Sequence, residues 1–220
     1  MIDSTLLLES IPALLRGMIV TIQIAALSCA IGCIVGTLAA FGLESNSRLI
    51  RWFTNCYTTL FRGTPMLIQI LFASFVVPLL VGFPISRMLS VVVAIGLNSA
   101  AYIAHIVHAG IQSVSKGQIE AAQTLGLSQL QIMRFIILPQ AIRLVIPALG
   151  NEFITLIKDS SLASIVGIQE LTKEGEIILS QTYDALTVYV AIGLCYLILT
   201  TLLSIAIGLL EKRMNAHVAD

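Results

Sequence analysis

Charge is what this sequence has least of: only 11% of its 220 residues are Asp, Glu, Lys or Arg, too few to cover the surface of a water-soluble globule. Its twelve basic and twelve acidic residues also cancel, so there is no net basic field to attract nucleic acid, which is not an expected partner. Cysteine is scarce as well. Cys29, Cys33, Cys56 and Cys195 include no Cys-x-x-Cys pair and fall mostly in apolar stretches, which argues against a disulfide or zinc framework. No G-x-x-x-x-G-K-[ST] phosphate loop occurs, so ATP hydrolysis through that machinery is not expected of this chain. The N-terminus lacks the short basic region of a cleavable signal peptide, and its first apolar run reads as a retained membrane helix. No clear internal repeat or low-complexity tract is visible.

What the chain does have is apolar length, with 57% hydrophobic residues and a mean hydropathy of +0.97. A spanning helix needs about 20 apolar residues. Five stretches qualify, at 11–41, 53–80, 88–112, 144–166 and 185–210. The prediction is an all-α integral membrane protein with about five transmembrane helices, forming one permeation-type domain over 1–220 with no room for a separate catalytic domain. An odd number of spans puts the termini on opposite sides. Arg48, Arg51, Lys116, Arg134, Arg143, Lys212 and Arg213 collect on one side, against Arg16, Arg87 and Lys173 on the other. The richer side is cytoplasmic by the positive-inside rule. The N-terminus and the acidic 169–184 segment are therefore outside, and the 113–143 segment and the 211–220 tail inside.

The 113–143 segment is too polar to span, yet Ile119, Ala122, Leu125 and Leu127 recur at near-helical spacing, and Leu130, Met133, Ile137 and Leu138 form a second amphipathic piece. The pattern predicts two short helices broken at Gly126, with Ser128 as N-cap of the second and Pro139 ending or kinking it. Its glutamine-rich polar face is unsuited to lipid headgroups and points to a protein docking surface.

The fourth stretch carries charge where hydrocarbon should be. At about 100° per residue, Asn151, Glu152, Thr155, Lys158 and Asp159 share an arc of roughly 120° on one helix face. A charge inside the membrane costs at least about 2.5 kcal/mol unless it meets protein, water or a partner, so this face lines either an internal ion-pair network or a wet cavity. In the cavity reading, Lys158 meets a carboxylate, while Glu152 and Asp159 attract an amino group or a cationic side chain. Arg62-Gly63-Thr64-Pro65 breaks the second stretch as a packed hinge, because Pro65 removes a donor and Arg62 cannot face lipid. His105 and His108, three apart, offer two metal ligands without an evident third, and read as inter-helix hydrogen-bonding groups. Gly32 and Gly36 share a small-residue face with Cys29 and Cys33, suited to close helix packing within the chain or between copies.

The order Glu120-Ala121-Ala122, Gly126, Ile136-Ile137-Leu138-Pro139 resembles the E-A-A-x3-G-x9-I-x-L-P signature of ATP-binding-cassette importer permeases. Arg62-Gly63-Thr64-Pro65, Asn98-Ser99-Ala100-Ala101-Tyr102 and Lys158-Asp159-Ser160-Ser161-Leu162 are similar to motifs of that family's polar amino-acid branch. The resemblance implies a type I importer permease fold in a bacterial cytoplasmic (inner) membrane. It also implies that Glu120, Ala121, Ala122 and Gly126 couple to a cytoplasmic ATPase dimer holding ATP and Mg, with no cofactor in this chain. A second permease subunit, identical or homologous, and an extracytoplasmic amino-acid-binding protein are the other implied partners, besides membrane lipid. Substrate-binding residues carried over are Asn98, Glu152, Lys158, Asp159 and Ser161, with Thr155 and Leu67 as lining positions. Glu152 tilts the expected substrate toward arginine, lysine or histidine; glutamine, cystine or another polar amino acid is the alternative. The family often has an acidic and a basic residue where this chain has His105 and His108, a departure from its pattern. An ion-coupled transporter would use the same intramembrane charges as a relay, but leaves the 120–139 signature without a role. An intramembrane enzyme would need a nucleophile–base pattern that is not present.

Overall fold

The computed structural model describes residues 3–216, and these are helical and turn residues with no strand. Helix α1 (Ser4–Leu43) starts where Asp3 caps it, the Asp3 carboxylate accepting from the Thr5 and Leu6 amides at 2.9 and 3.3 Å. At 1.5 Å per residue it is about 60 Å long, twice the hydrocarbon thickness, so its ends project from the membrane. It packs along α4 (Arg87–Gln112) through small residues. A Cβ on Gly32 would meet Ser99 and Ile103, one on Gly36 the Ala100 carbonyl and Ile103, and one on Gly96 the Ile31 side chain. The Gly32–Gly36 face therefore serves packing within the chain.

The second apolar stretch does not cross as one rod. It divides into α2 (Arg48–Gly63) and α3 (Met66–Val81), which meet at 104° around Thr64 and Pro65. Four other helices are long and apolar enough to span: α1, α4, α6 (Gln129–Val166) and α8 (Ala185–Met214, continuing to Ala216). Five spans follow when the bent pair is one of them.

In the cytoplasmic segment, α5 (Lys116–Thr124) ends in a glycine turn: Gly126, at φ +79°, donates to Gln123 and Leu127 donates to Ala122. Ser128 then caps α6 in a reciprocal box with Gln131. Both features match the sequence reading, but Pro139 does not end the helix. The chain instead widens into a π turn at Met133–Ile137 and continues as α6 into the fourth span, so the polar segment and the span share one helix. Helix α3 does the same at Phe72–Val76 before Pro78. In each case proline cannot donate and its ring crowds the carbonyl one turn back, so the turn opens by a residue.

The core is shared by Ile24 of α1, Ile70 of α3, Val91 and Ile95 of α4, and Leu156 and Ile157 of α6. A second cluster joins Leu14 to Leu171 of α7 (Leu171–Thr182) and Val188 of α8 on the outer side. A third, with Ile111, Ala122, Ile132 and Ile137, ties α5 to the cytoplasmic ends of α4 and α6. Leu197, Ile198, Leu202 and Ile205 of α8 are exposed, as suits a lipid-facing helix. Of the expected cytoplasmic tail 211–220, residues 217–220 lie outside the described residues.

Candidate functional site

Helix α6 runs unbroken through Asn151, Glu152, Thr155, Lys158 and Asp159, then tightens into a 3-10 turn at Ser160–Val166. Asn151, Thr155 and Lys158 are exposed and Glu152 and Asp159 half-buried, while Leu156 and Ile157, outside that arc, are fully buried. The arc is thus a polar face on a helix whose back is core. Ser161 follows it half-buried in the 3-10 turn, and Leu67 is half-buried in the first turn of α3.

Glu152 is held across to α4, its Oε1 accepting from Ser99 Oγ at 2.8 Å. The ion pairs among the described residues are His108 with Glu44 at 3.6 Å and Lys173 with Glu176 at 2.9 Å. Neither includes Glu152, Lys158 or Asp159. The internal ion-pair network allowed by the sequence is therefore not formed among the described residues. Three intramembrane charges on a partly exposed face, unneutralised by one another, call for water or a charged ligand.

Asn98 is buried, with 7% of its surface exposed, and its amide is engaged at the broken span. Asn98 Nδ2 donates to the Phe61 carbonyl at 2.9 Å and to Gln69 Oε1 at 3.0 Å. Gln69 Nε2 donates to the same Phe61 carbonyl at 2.8 Å, and to the carbonyl and hydroxyl of Thr64 at 3.2 and 2.8 Å. These carbonyls are the ones the break at Pro65 orphans, and two side-chain amides satisfy them inside the membrane. Arg62 stacks over the Tyr102 ring at 5.2 Å, so the hinge arginine packs on protein.

In the 113–143 segment expected to couple to an ATPase, Glu120, Ala121 and Gly126 are exposed, whereas Ala122 is buried in the third cluster. Leu125, Leu130 and Phe135 stand exposed around them. His108 Nδ1 is buried and makes no hydrogen bond, its Glu44 neighbour being too far. Among the described residues no group of three His, Cys, Asp or Glu is placed to hold a metal ion.

Sequence reasoning did not single out Gln69, Ser99 or Glu170. Gln69 is marked only by being polar within an apolar run, and Ser99 only by its place in the Asn98–Tyr102 motif, neither of which assigns it a role. Glu170 sits in the acidic outer segment, where it looks like Glu174 and Glu176, yet it is fully buried. Its carboxylate caps α7 through the Thr172 and Lys173 amides, both at 2.9 Å, and takes Tyr196 Oη at 2.9 Å and Thr21 Oγ1 at 3.3 Å. Burial pushes its pKa above the usual carboxylate value, against the pull of those four donors.

Residues 30–216 match the family described as binding-protein-dependent transport system inner membrane component. The arginine transport system permease protein ArtQ of Bacillus subtilis (strain 168) is 34% identical over 216 residues, covering 98% of this chain and 99% of that protein. The glutamine transport system permease protein GlnP of Escherichia coli (strain K12) is 36% identical over 214 residues, covering 97% and 98%. The crystal structure of an amino acid ABC transporter with histidines superposes with a TM-score of 0.92 at 36% identity, covering 97% of this chain and 99% of that one. An inward-facing structure of the MetNI methionine ABC transporter shares the fold, with a TM-score of 0.80 at 24% identity and coverage of 93% and 97%.

Proposed function

Since the chain belongs to the family of binding-protein-dependent transport system inner membrane components, as a permease of an amino-acid ABC importer, we propose that it carries cationic amino acids: arginine, lysine or histidine. The observation that supports this is the unpaired face of α6, where one cation and two carboxylates lie on a partly exposed arc within the span. Lys158 takes the α-carboxylate, and Glu152 and Asp159 take the positive groups of a zwitterion with a cationic side chain. Thr155, Ser161 and Leu67 line the site. The relatives are named for arginine and for glutamine transport, and the second carboxylate of α6 favours a cationic substrate.

The subunit works in a bacterial inner membrane with a second permease, identical or homologous, on two cytoplasmic ATPases that bind ATP and Mg and hydrolyse the ATP. Glu120, Ala121, Ala122 and Gly126 dock the ATPase and pass its closure and separation to the spans, so that the cavity alternates its exposure. Ala122 does this from inside the third cluster, anchoring α5 to α4 and α6. An amino-acid-binding protein delivers substrate near 169–184 on the outer face.

The test is labelled arginine uptake by cells carrying the whole transporter, competed by lysine, histidine, glutamine and cystine, with Glu152→Gln beside the parent. Competition by the cationic amino acids, with uptake falling about tenfold or more in Glu152→Gln, a loss of about 1.4 kcal/mol, is the expected result, provided insertion and assembly are unchanged. Dominant competition by glutamine or cystine overturns the cationic assignment.

A further inference from the structure

We propose that Gln69 is a positioning residue for substrate selection: with the Phe61 carbonyl it locks the Asn98 amide so that Asn98 has only its carbonyl oxygen to offer, an acceptor for the substrate's α-ammonium group. This rests on the reading that Asn98 touches substrate.

The lock follows from which atoms can donate. The Phe61 and Thr64 carbonyls accept and cannot donate, so the Gln69 carboxamide must turn Nε2 toward them, at 2.8 and 3.2 Å. That turn leaves Gln69 Oε1 facing Asn98. Asn98 then meets two acceptors, Phe61 O at 2.9 Å and Gln69 Oε1 at 3.0 Å, and only its Nδ2 satisfies both. A flipped Asn98 would set oxygen against oxygen on each side. Both hydrogens of Nδ2 are used, and Asn98 Oδ1 accepts no hydrogen bond among the described residues.

Two surroundings strengthen the lock. Asn98 is 7% exposed, and the crook of the broken span opens on an apolar chamber of about 640 Å³ lined by Leu60, Ile68, Phe72 and Leu97, where amide bonds meet little polar competition. Next to Asn98 on α4, Ser99 holds Glu152. Ser99 thus anchors a carboxylate on the face of α4 about 100° around from the one on which Asn98 presents its acceptor oxygen. The α-ammonium is common to every amino acid, so this selection is independent of the side chain carried.

The experiment measures binding of labelled arginine to the purified permease–ATPase complex without its binding protein. The competitors are arginine, 5-guanidinopentanoic acid, which lacks the α-amino group, and agmatine, which lacks the α-carboxylate. The parent should prefer arginine over the des-amino analogue at least tenfold. Gln69→Leu should cut that preference at least fivefold while leaving the preference over agmatine intact; a merely structural role would weaken both alike. Gln69→Glu, which keeps the acceptors for Asn98 but loses the donors to Phe61 and Thr64, should shift the same preference in the same direction, and decides the matter where Gln69→Leu does not assemble. Should arginine not bind, glutamine and its des-amino analogue give the same ratio, with the cationic assignment failing separately. Full discrimination retained in the Gln69 variants, with Asn98→Ala abolishing it, overturns the positioning role alone. Discrimination unchanged in Asn98→Ala overturns it together with the assignment of Asn98 to substrate.

Discussion

Gly17 is one of fifteen glycines, and nothing around it in the sequence marks it. In the folded chain a Cβ there would lie 2.8 Å from Leu171 Cα and 2.9 Å from its nitrogen, atoms of backbone that no side-chain rotation can move aside. Alongside it, Leu171 N donates to Thr21 Oγ1 at 3.2 Å, and Thr21 in turn donates to Glu170, so α1 and the start of α7 touch through backbone and a buried carboxylate. Gly17→Val should therefore push α7 away, costing about 1–3 kcal/mol by overpacking. Gly208, with open space at its Cβ, is the control. The measurement is the unfolding midpoint in detergent: a clear fall for Gly17→Val and none for Gly208→Val is expected. At this scale the intramembrane charges of α6 were legible, because charge in an apolar run is conspicuous. Glu170 was not, because beside Glu174 and Glu176, which are only half-buried, its type carries no sign of burial.

The helices begin and end largely where their local chemistry says they should. Gly126 and Ser128 make their turn and cap as their types predict, whereas Pro139 shows that a breaker can be absorbed by a π turn when packing holds the helix on both sides. Two caps on the outer side carry a pH dependence. Asp3 is held below the usual carboxylate value by the Leu6 and Thr5 amides, and Asp184 by the Thr187 hydroxyl and amide. Thr187 also accepts from the Asp3 amide at 3.0 Å, joining the outer ends of α1 and α8. Because both carboxyls titrate lower when folded, their stabilisation is present above the unfolded value near 3.8 and is lost as pH falls through the lower folded values. The unfolding midpoint of the detergent-solubilised protein should decline below about pH 4, and an Asp3→Asn, Asp184→Asn double variant should lose part of that decline. An identical acid profile in the double variant would place the dependence elsewhere.

For the whole molecule, the question is where the driving energy enters. Leu125, Leu130 and Phe135 are exposed around Glu120 on the cytoplasmic segment, and the third cluster ties that segment to α4 and α6, so force applied there reaches the spans that carry Asn98 and Glu152. Uptake by the complete transporter should persist with an uncoupler while ATP is maintained, and should be lost in Glu120→Lys with the variant still inserted. Loss of uptake on collapse of the ion gradient alone would favour the ion-coupled alternative. The sequence by itself determined the helical class, the approximate number of spans, the glycine turn and serine cap of the 113–143 segment and the charged face, because hydropathy, periodicity and turn chemistry are local and leave their mark within about twenty residues. Only the tertiary structure decided that the second span bends by 104°, that Gly32 and Gly36 face α4, and that Asn98 and Gln69 close the break together. It also placed Glu170 in the interior and left Lys158 without an ion-pair partner among the described residues. Each of these depends on which side chains distant stretches bring opposite one another, and residue spacing along a single helix carries no record of that.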